Sequence, residues 1–230
     1  MNYIMNKIFV KTQNVKGFIG LIENLLAKPA NLPKMALVYG EPGLGKSQTA
    51  LWLSAKYDGI YLRCSNLMTG RWLLEELAKE LDEIPRYLTS DNFNTCVKKL
   101  KENPQIIIID EIDYLINDKR AIETLRDIHD ETNCPIIFVG MGLAHKKIER
   151  YRHLFDRFSK IIKFEIFSIA DLKEIIEQLS ETPITANAVE IIHKKYNRFR
   201  QIVQLISQLE IIAKENNLTE ITDEIVRSIL

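Results

Sequence analysis

The sequence has no surplus of charge of either sign. Its 230 residues carry 31 lysines and arginines against 31 aspartates and glutamates, which excludes a protein that coats nucleic acid by bulk positive charge. Cysteine is scarce. Cys64, Cys96 and Cys134 lie more than 30 positions apart, too far for a zinc knuckle, and an odd count does not make a disulfide framework. A reduced, cytoplasmic setting is therefore expected. The four histidines, His129, His145, His153 and His193, show no metal-ligand spacing. No apolar run approaches the roughly 18 residues of a membrane span. Polar residues are scattered throughout the first 18 positions, with no small-residue cleavage site, so no signal peptide is expected. There is no internal repeat and no low-complexity tract. What is present is ordinary: 46% hydrophobic and 27% charged residues exclude wholesale disorder. The length suits one or two domains with a core of their own.

Short apolar runs alternate with helical patterns through the first two-thirds of the chain. The runs are 35–40, 59–64, 105–111, 135–140 and 161–167. Uninterrupted β-branched runs of this kind predict strands buried on both faces of a parallel sheet. Between them, 45–57, 71–83, 92–102 and 118–131 read as amphipathic helices, and 15–27 as a helix packed beside the sheet. This alternation predicts an α/β layered domain with right-handed crossovers. After about Phe167 only helical patterns remain. Ser168 with Asp171 three residues on, Thr185 and Thr222 read as helix starts. The expected division is an α/β domain over 1–166 and a small helical domain over 167–230.

Gly40-Glu41-Pro42-Gly43-Leu44-Gly45-Lys46-Ser47 matches the phosphate loop GxxxxGK[ST], after a predicted strand and before a predicted helix. Its glycines let backbone N–H groups turn toward phosphate oxygens, and the helix N-terminus adds its dipole. Lys46 is expected to reach the β- and γ-phosphates, and Ser47 to offer its hydroxyl to Mg²⁺, with Gln48 following in the nucleotide-binding segment. The second half is Ile106-Ile107-Ile108-Ile109-Asp110-Glu111. It projects two carboxylates from the C-terminal edge of the sheet, where α/β sheets bind ligands. Asp110 is expected in the Mg²⁺ shell, and Glu111 as the residue that polarises the attacking water. Asp113 reads as a solvated or capping acid.

GEPGLGKS, IIIIDE and a trailing helical domain resemble an AAA+ ATPase. LVYGEPGLGKS (37–47), IYLRC (60–64), ETLRDIHDET (123–132) and PIIFVGMGLAHKKIERYRHLFDRF (135–158) narrow the resemblance to the phage Mu-type DNA transposition protein B group, ATPases that partner transposases. The resemblance implies an AAA+ P-loop fold, with a five-stranded parallel sheet flanked by helices and a C-terminal helical lid. It implies ATP and Mg²⁺ as cofactors, and a homo-oligomeric ring or filament with ATP at subunit interfaces. It further implies nonspecific binding of target DNA, activation of a cognate transposase, and release on hydrolysis. Arg157 stands where the family carries an arginine finger, with Arg150 and Arg152 as rivals, and Arg200 where it carries a second sensor. At the first-sensor position Met141 replaces the polar residue often found there. Residues 1–30 leave no room for the extra DNA-binding helical domain of some members. A helicase loader, a replication initiator or a nucleotide-gated scaffold without DNA remain the alternatives.

The neutral total hides local asymmetry. Residues 141–163 hold seven basic against two acidic side chains, and 110–131 eight acidic against three basic, so two such segments could steer subunits together. In the resembled group the segments after the second strand face DNA. Here that implies Thr69 and Arg71, and the Lys98, Lys99 and Lys101 face. Their contacts would be to phosphates, salt-dependent and nearly blind to sequence.

Overall fold

The computed structural model describes residues 9–30, 32–151 and 155–230. The elements run α1 (Gln13–Ala27), β1 (Met35–Gly40), α2 (Lys46–Lys56), β2 (Ile60–Arg63), α3 (Gly70–Glu80), α4 (Thr89–Glu102) and β3 (Ile107–Asp110). A single 3-10 turn (Ile112–Tyr114) precedes α5 (Lys119–Thr132), β4 (Ile136–Gly140), α6 (Gly142–Ile148) and β5 (Phe158–Phe164). Four helices follow: α7 (Ile169–Leu179), α8 (Ala186–Lys195), α9 (Phe199–Glu215) and α10 (Asp223–Ile229). By contacts the chain divides into two compact units. One holds residues 17–41 and 46–164; the other holds the segment ending at Lys16, the loop 42–45 and residues 165–230.

The first unit is built on a five-stranded sheet in the order β2-β3-β4-β1-β5, every neighbouring pair parallel. β1, β3 and β4 are buried almost throughout, as expected of strands covered on both faces. Their side chains pack with Leu73 and Leu77 of α3, Leu100 of α4 and Leu125 and Ile128 of α5 in one apolar core. Because β4 lies between β1 and β3, the ends of β1 and β3 are two strand spacings apart, about 10 Å.

Three features depart from the sequence expectation. The last strand occupies 158–164 rather than 161–167, because its register follows β1, from Met35↔Phe158 to Gly40↔Phe164. It is also an edge strand, half-buried rather than buried on both faces. Helix α6 and the 3-10 turn had no counterpart in the apolar pattern, since each is too short to show a period.

The second unit is helical, with a core of Leu172, Ile175, Ile192, Ile202, Ile206, Leu209 and neighbours. Ser168 and Asp171 form a reciprocal capping box at the start of α7, and Thr185 caps α8 through Ala188 N. Thr222 precedes α10, but its side chain makes no capping bond. Asp171 also accepts from Gln13 N at 3.2 Å, which ties the start of α1 to this unit. Glu210 of α9 is buried, and its carboxylate accepts from Ser180 Oγ, Glu181 N, Thr182 N and Thr182 Oγ1. Among the described residues, no helix is long and apolar enough to cross a membrane.

Candidate nucleotide site

β1 ends in Gly40, and α2 opens on Lys46. The Lys46 side chain is nearly buried, and its Nζ donates to the carbonyls of Gly40 at 2.8 Å and Glu41 at 2.7 Å. Burial pushes the amine below the ordinary lysine range, opposed by the negative charges of Asp110, Asp113 and Glu41. The cation is thus held at the C-terminal edge of the sheet, facing the carboxylates of β3 and the turn after it. Ser47 and Gln48, in the first turn of α2, are exposed. Gly43 and Gly45 have φ of +83° and +90°, which side chains other than glycine rarely adopt. Within the helical unit, Arg200 N donates to Gly43 O at 3.3 Å, and a Cβ on Gly43 would stand 3.6 Å from Cβ of Arg198. The start of α9 therefore rests on the loop by its backbone, while Arg200 itself is exposed.

Asp110 is 2% exposed. Both of its oxygens are engaged: Oδ1 accepts from Glu111 N at 2.8 Å, and Oδ2 from the Tyr61 hydroxyl at 2.7 Å. Glu111 sits in the left-handed region, φ +55° and ψ +38°, an uncommon conformation for a residue other than glycine. Its Oε1 accepts from Arg63 Nη2 at 2.7 Å. Tyr61 and Arg63 both belong to β2, whose register sets Arg63 beside Asp110 and Tyr61 beside Ile108. One strand therefore supplies a donor to each acid of the Asp-Glu pair. Neither donor was legible in the sequence, because the β2–β3 register is a tertiary fact.

Met141, at the end of β4, is 45% exposed. Its backbone N donates to Asp113 Oδ2 at 2.6 Å. Asp113 acts electrostatically on Lys46, so a carboxylate accompanies the position where a polar side chain was expected. Sequence spacing suggested only a solvated or capping role for it.

Arg157 forms a two-point pair with Asp130, Nε to Oδ1 at 2.8 Å and Nη2 to Oδ2 at 3.1 Å. It immediately precedes β5, and its carbonyl accepts from Met35 N at 3.3 Å. This places it at the N-terminal edge of the sheet, away from Lys46 and Asp110. Arg150 is exposed, and Arg152 lies outside the described residues. Thr69 caps α3, its hydroxyl accepting from Trp72 N. Arg71 pairs with Glu75 and stands 5.6 Å over the Tyr87 ring. Lys98, Lys99 and Lys101 pair with Glu102, Glu83 and Glu131. Each basic side chain named for DNA thus has a carboxylate partner in the chain.

Among the described residues, no group of three or more His, Cys, Asp or Glu side chains could hold a metal ion. Mg²⁺ keeps several waters and is bound by one or two protein oxygens plus phosphates. The Ser47 hydroxyl and the Asp110 carboxylate are hard oxygen donors of that kind. Asp110, with both oxygens already accepting, suits contact through water.

A family model described as "AAA domain" matches residues 31–148, slightly more than half the chain. A potential ATP-binding protein of Staphylococcus aureus is 32% identical over 133 residues, covering 54% of this chain and 48% of that protein. The chain spans half or less of the curated relatives it matches. Among solved structures, the Aeropyrum pernix ORC2 protein in its ADPNP–ADP complexes is 17% identical, with 99% of this chain and 69% of that one covered and a TM-score of 0.72. The Aeropyrum pernix ORC1 protein in complex with DNA is 16% identical, with 96% and 65% covered and a TM-score of 0.66. These structures share the fold. With the five-stranded parallel sheet, the phosphate loop on β1 and the acidic pair on β3, the match over 31–148 shows that the chain belongs to the AAA-domain family of ATPases.

Proposed function

We propose that the protein is an ATP-dependent switch that binds DNA with little regard to sequence and activates a partner transposase, with hydrolysis driving release. The observation that carries its ATPase part is the placement of Lys46, Asp110 and Glu111 along one edge of one sheet. Residues 40–48 hold the nucleotide, with Lys46 exchanging its two carbonyl partners for phosphate oxygens. Ser47 and Asp110 hold Mg²⁺, which when bound neutralises phosphate charge. Glu111 polarises water once its carboxylate leaves Arg63. Residues 167–230 act as a lid, with Arg200 reporting nucleotide state. Arg157 serves a neighbouring subunit's nucleotide after trading Asp130 for phosphate. The protein works in the cytoplasm.

The DNA reading is supported by the local words shared with transposition ATPases. A structure of similar fold, the Aeropyrum pernix ORC1 protein, is in complex with DNA. The ion pairs at Arg71, Lys98, Lys99 and Lys101 are exposed. Such pairs are weak and screened by salt, so phosphates can displace their carboxylates, and repetition in an oligomer multiplies the gain. The fold shared with ORC proteins over nearly the whole chain favours a replication-initiator-like role as the second reading.

The test is binding of labelled random-sequence duplex by wild type and Lys46→Ala, with and without ATP. ATP should strengthen binding by the wild type and do nothing for the variant. ATP-stimulated binding that survives in Lys46→Ala would refute the switch. Co-purification with a transposase, against co-purification with a replicative helicase, separates the two readings.

A further inference from the structure

The acid expected to face Mg²⁺ is buried, and its geometry depends on a side chain outside the phosphate loop and the Asp-Glu pair. β2 is a short edge strand on which Ile60 and Leu62 are buried, while Tyr61 is half-buried and Arg63 exposed. Side chains two apart share a face of a strand, so Tyr61 and Arg63 project together. In the parallel register Arg63 stands beside Asp110, and Tyr61 stands one pleat earlier, beside Ile108. The step from Ile108 to Asp110 is about 6.6 Å, close to the reach of a tyrosine side chain. The ring therefore lies along β3, and its hydroxyl meets Asp110 Oδ2 at 2.7 Å. Phenylalanine would fill the same space without donating, and serine or threonine would fall short.

A carboxylate at 2% exposure keeps its direction through the donors that meet it. Asp110 has two, and they act on different oxygens. Glu111 N fixes Oδ1 from the backbone, and Tyr61 fixes Oδ2. With one donor gone, the carboxylate is free to turn about its remaining bond.

We infer that Tyr61 is a positioning residue for the metal site, holding the Asp110 carboxylate in the orientation that serves the water shell of Mg²⁺. The inference rests on the ATPase reading above. It predicts that Tyr61→Phe weakens the response to Mg²⁺ while leaving metal-free nucleotide binding intact, because the lost hydroxyl touches neither the phosphate loop nor Lys46. One charge-assisted hydrogen bond corresponds to about a tenfold effect.

The experiment is a Mg²⁺ titration of fluorescent ATP binding, with EDTA as the metal-free baseline, on wild type, Tyr61→Phe, Asp110→Asn and the double variant. Thermal melting of each is the control for folding. The expected result is a roughly tenfold rise in the Mg²⁺ concentration for half-saturation in Tyr61→Phe. Affinity in EDTA should stay within twofold, and Tyr61→Phe should add nothing in the Asp110→Asn background. A Tyr61→Phe variant that melts lower but keeps the wild-type Mg²⁺ response has lost packing only, and that overturns the inference. So does an equal effect of Tyr61→Phe in both backgrounds. A wild type whose ATP binding ignores Mg²⁺ overturns the inference together with the ATPase reading, whereas loss confined to the Tyr61 arm leaves that reading standing.

Discussion

In the proposed mechanism, replacing Arg63 by alanine should speed ATP turnover. Glu111 carries the chemistry in the proposed mechanism, yet its Oε1 is held by Arg63 Nη2 at 2.7 Å. The guanidinium side chain is 64% exposed and the carboxylate side chain 29%. A pair that wet is worth about 0.2–1 kcal/mol. If Glu111 must leave Arg63 to reach a water, that is the cost of the catalytically free state, and at about 1.4 kcal/mol per tenfold it amounts to at most about a fivefold effect. Steady-state turnover of Arg63→Ala at saturating ATP should therefore rise by about 1.4-fold to fivefold, and unfolding free energy should change by less than about 1 kcal/mol. Salt gives an independent check, since raising ionic strength screens the pair. Wild-type turnover should climb toward that of Arg63→Ala as salt increases, while the variant stays comparatively flat. Turnover that falls in Arg63→Ala would show that the arginine assists catalysis and would refute the restraint.

Glu111→Gln should keep ATP binding and lose turnover by at least about a hundredfold, the scale expected for a positioned base, as read by phosphate release beside nucleotide fluorescence. Glu210→Ala should destabilise the helical unit by about 2–3 kcal/mol, because it strands the amides of Glu181 and Thr182; urea unfolding checks this. Burial raises the Glu210 carboxyl, but hydrogen bonds from Ser180, Thr182 and Glu181 outweigh it and hold the group below the ordinary range. Its stabilisation is therefore present above the unfolded glutamate value, about 4.3, and is lost as pH falls through the lower folded value. Wild type should show that acid loss more steeply than Glu210→Ala. Gly20→Ala should stabilise the fold by about 0.5–1 kcal/mol, since a Cβ there meets nothing within 4 Å and the residue is an exposed interior position of α1. A lower melting temperature would contradict it.

The motifs were legible because each is local. The phosphate loop, the apolar run before Asp110 and Glu111, and the capping pair Ser168–Asp171 all announce themselves within a few residues. The central strands were legible too, because burial on both faces leaves an unbroken apolar run. The edge strand β5 was displaced by three residues because it is only half-buried, and its limits come from pairing with β1 rather than from its own composition. What the site adds beyond the motifs is tertiary. Tyr61 meets Asp110, Arg63 meets Glu111 and Asp113 meets Met141 N only after β2, β3 and β4 are aligned. The Arg157–Asp130 and Lys101–Glu131 pairs likewise join segments about 30 residues apart whose charges looked separate in the chain.

The central claim is that nucleotide state governs DNA binding. Its most direct test is the fluorescence anisotropy of a random-sequence duplex with the Glu111→Gln variant, in ATP, in ADP and without nucleotide. The account predicts tight, salt-sensitive binding in ATP that persists because the nucleotide is not turned over, and weak binding in the other two conditions. Equal binding in all three, or none in ATP, would contradict it.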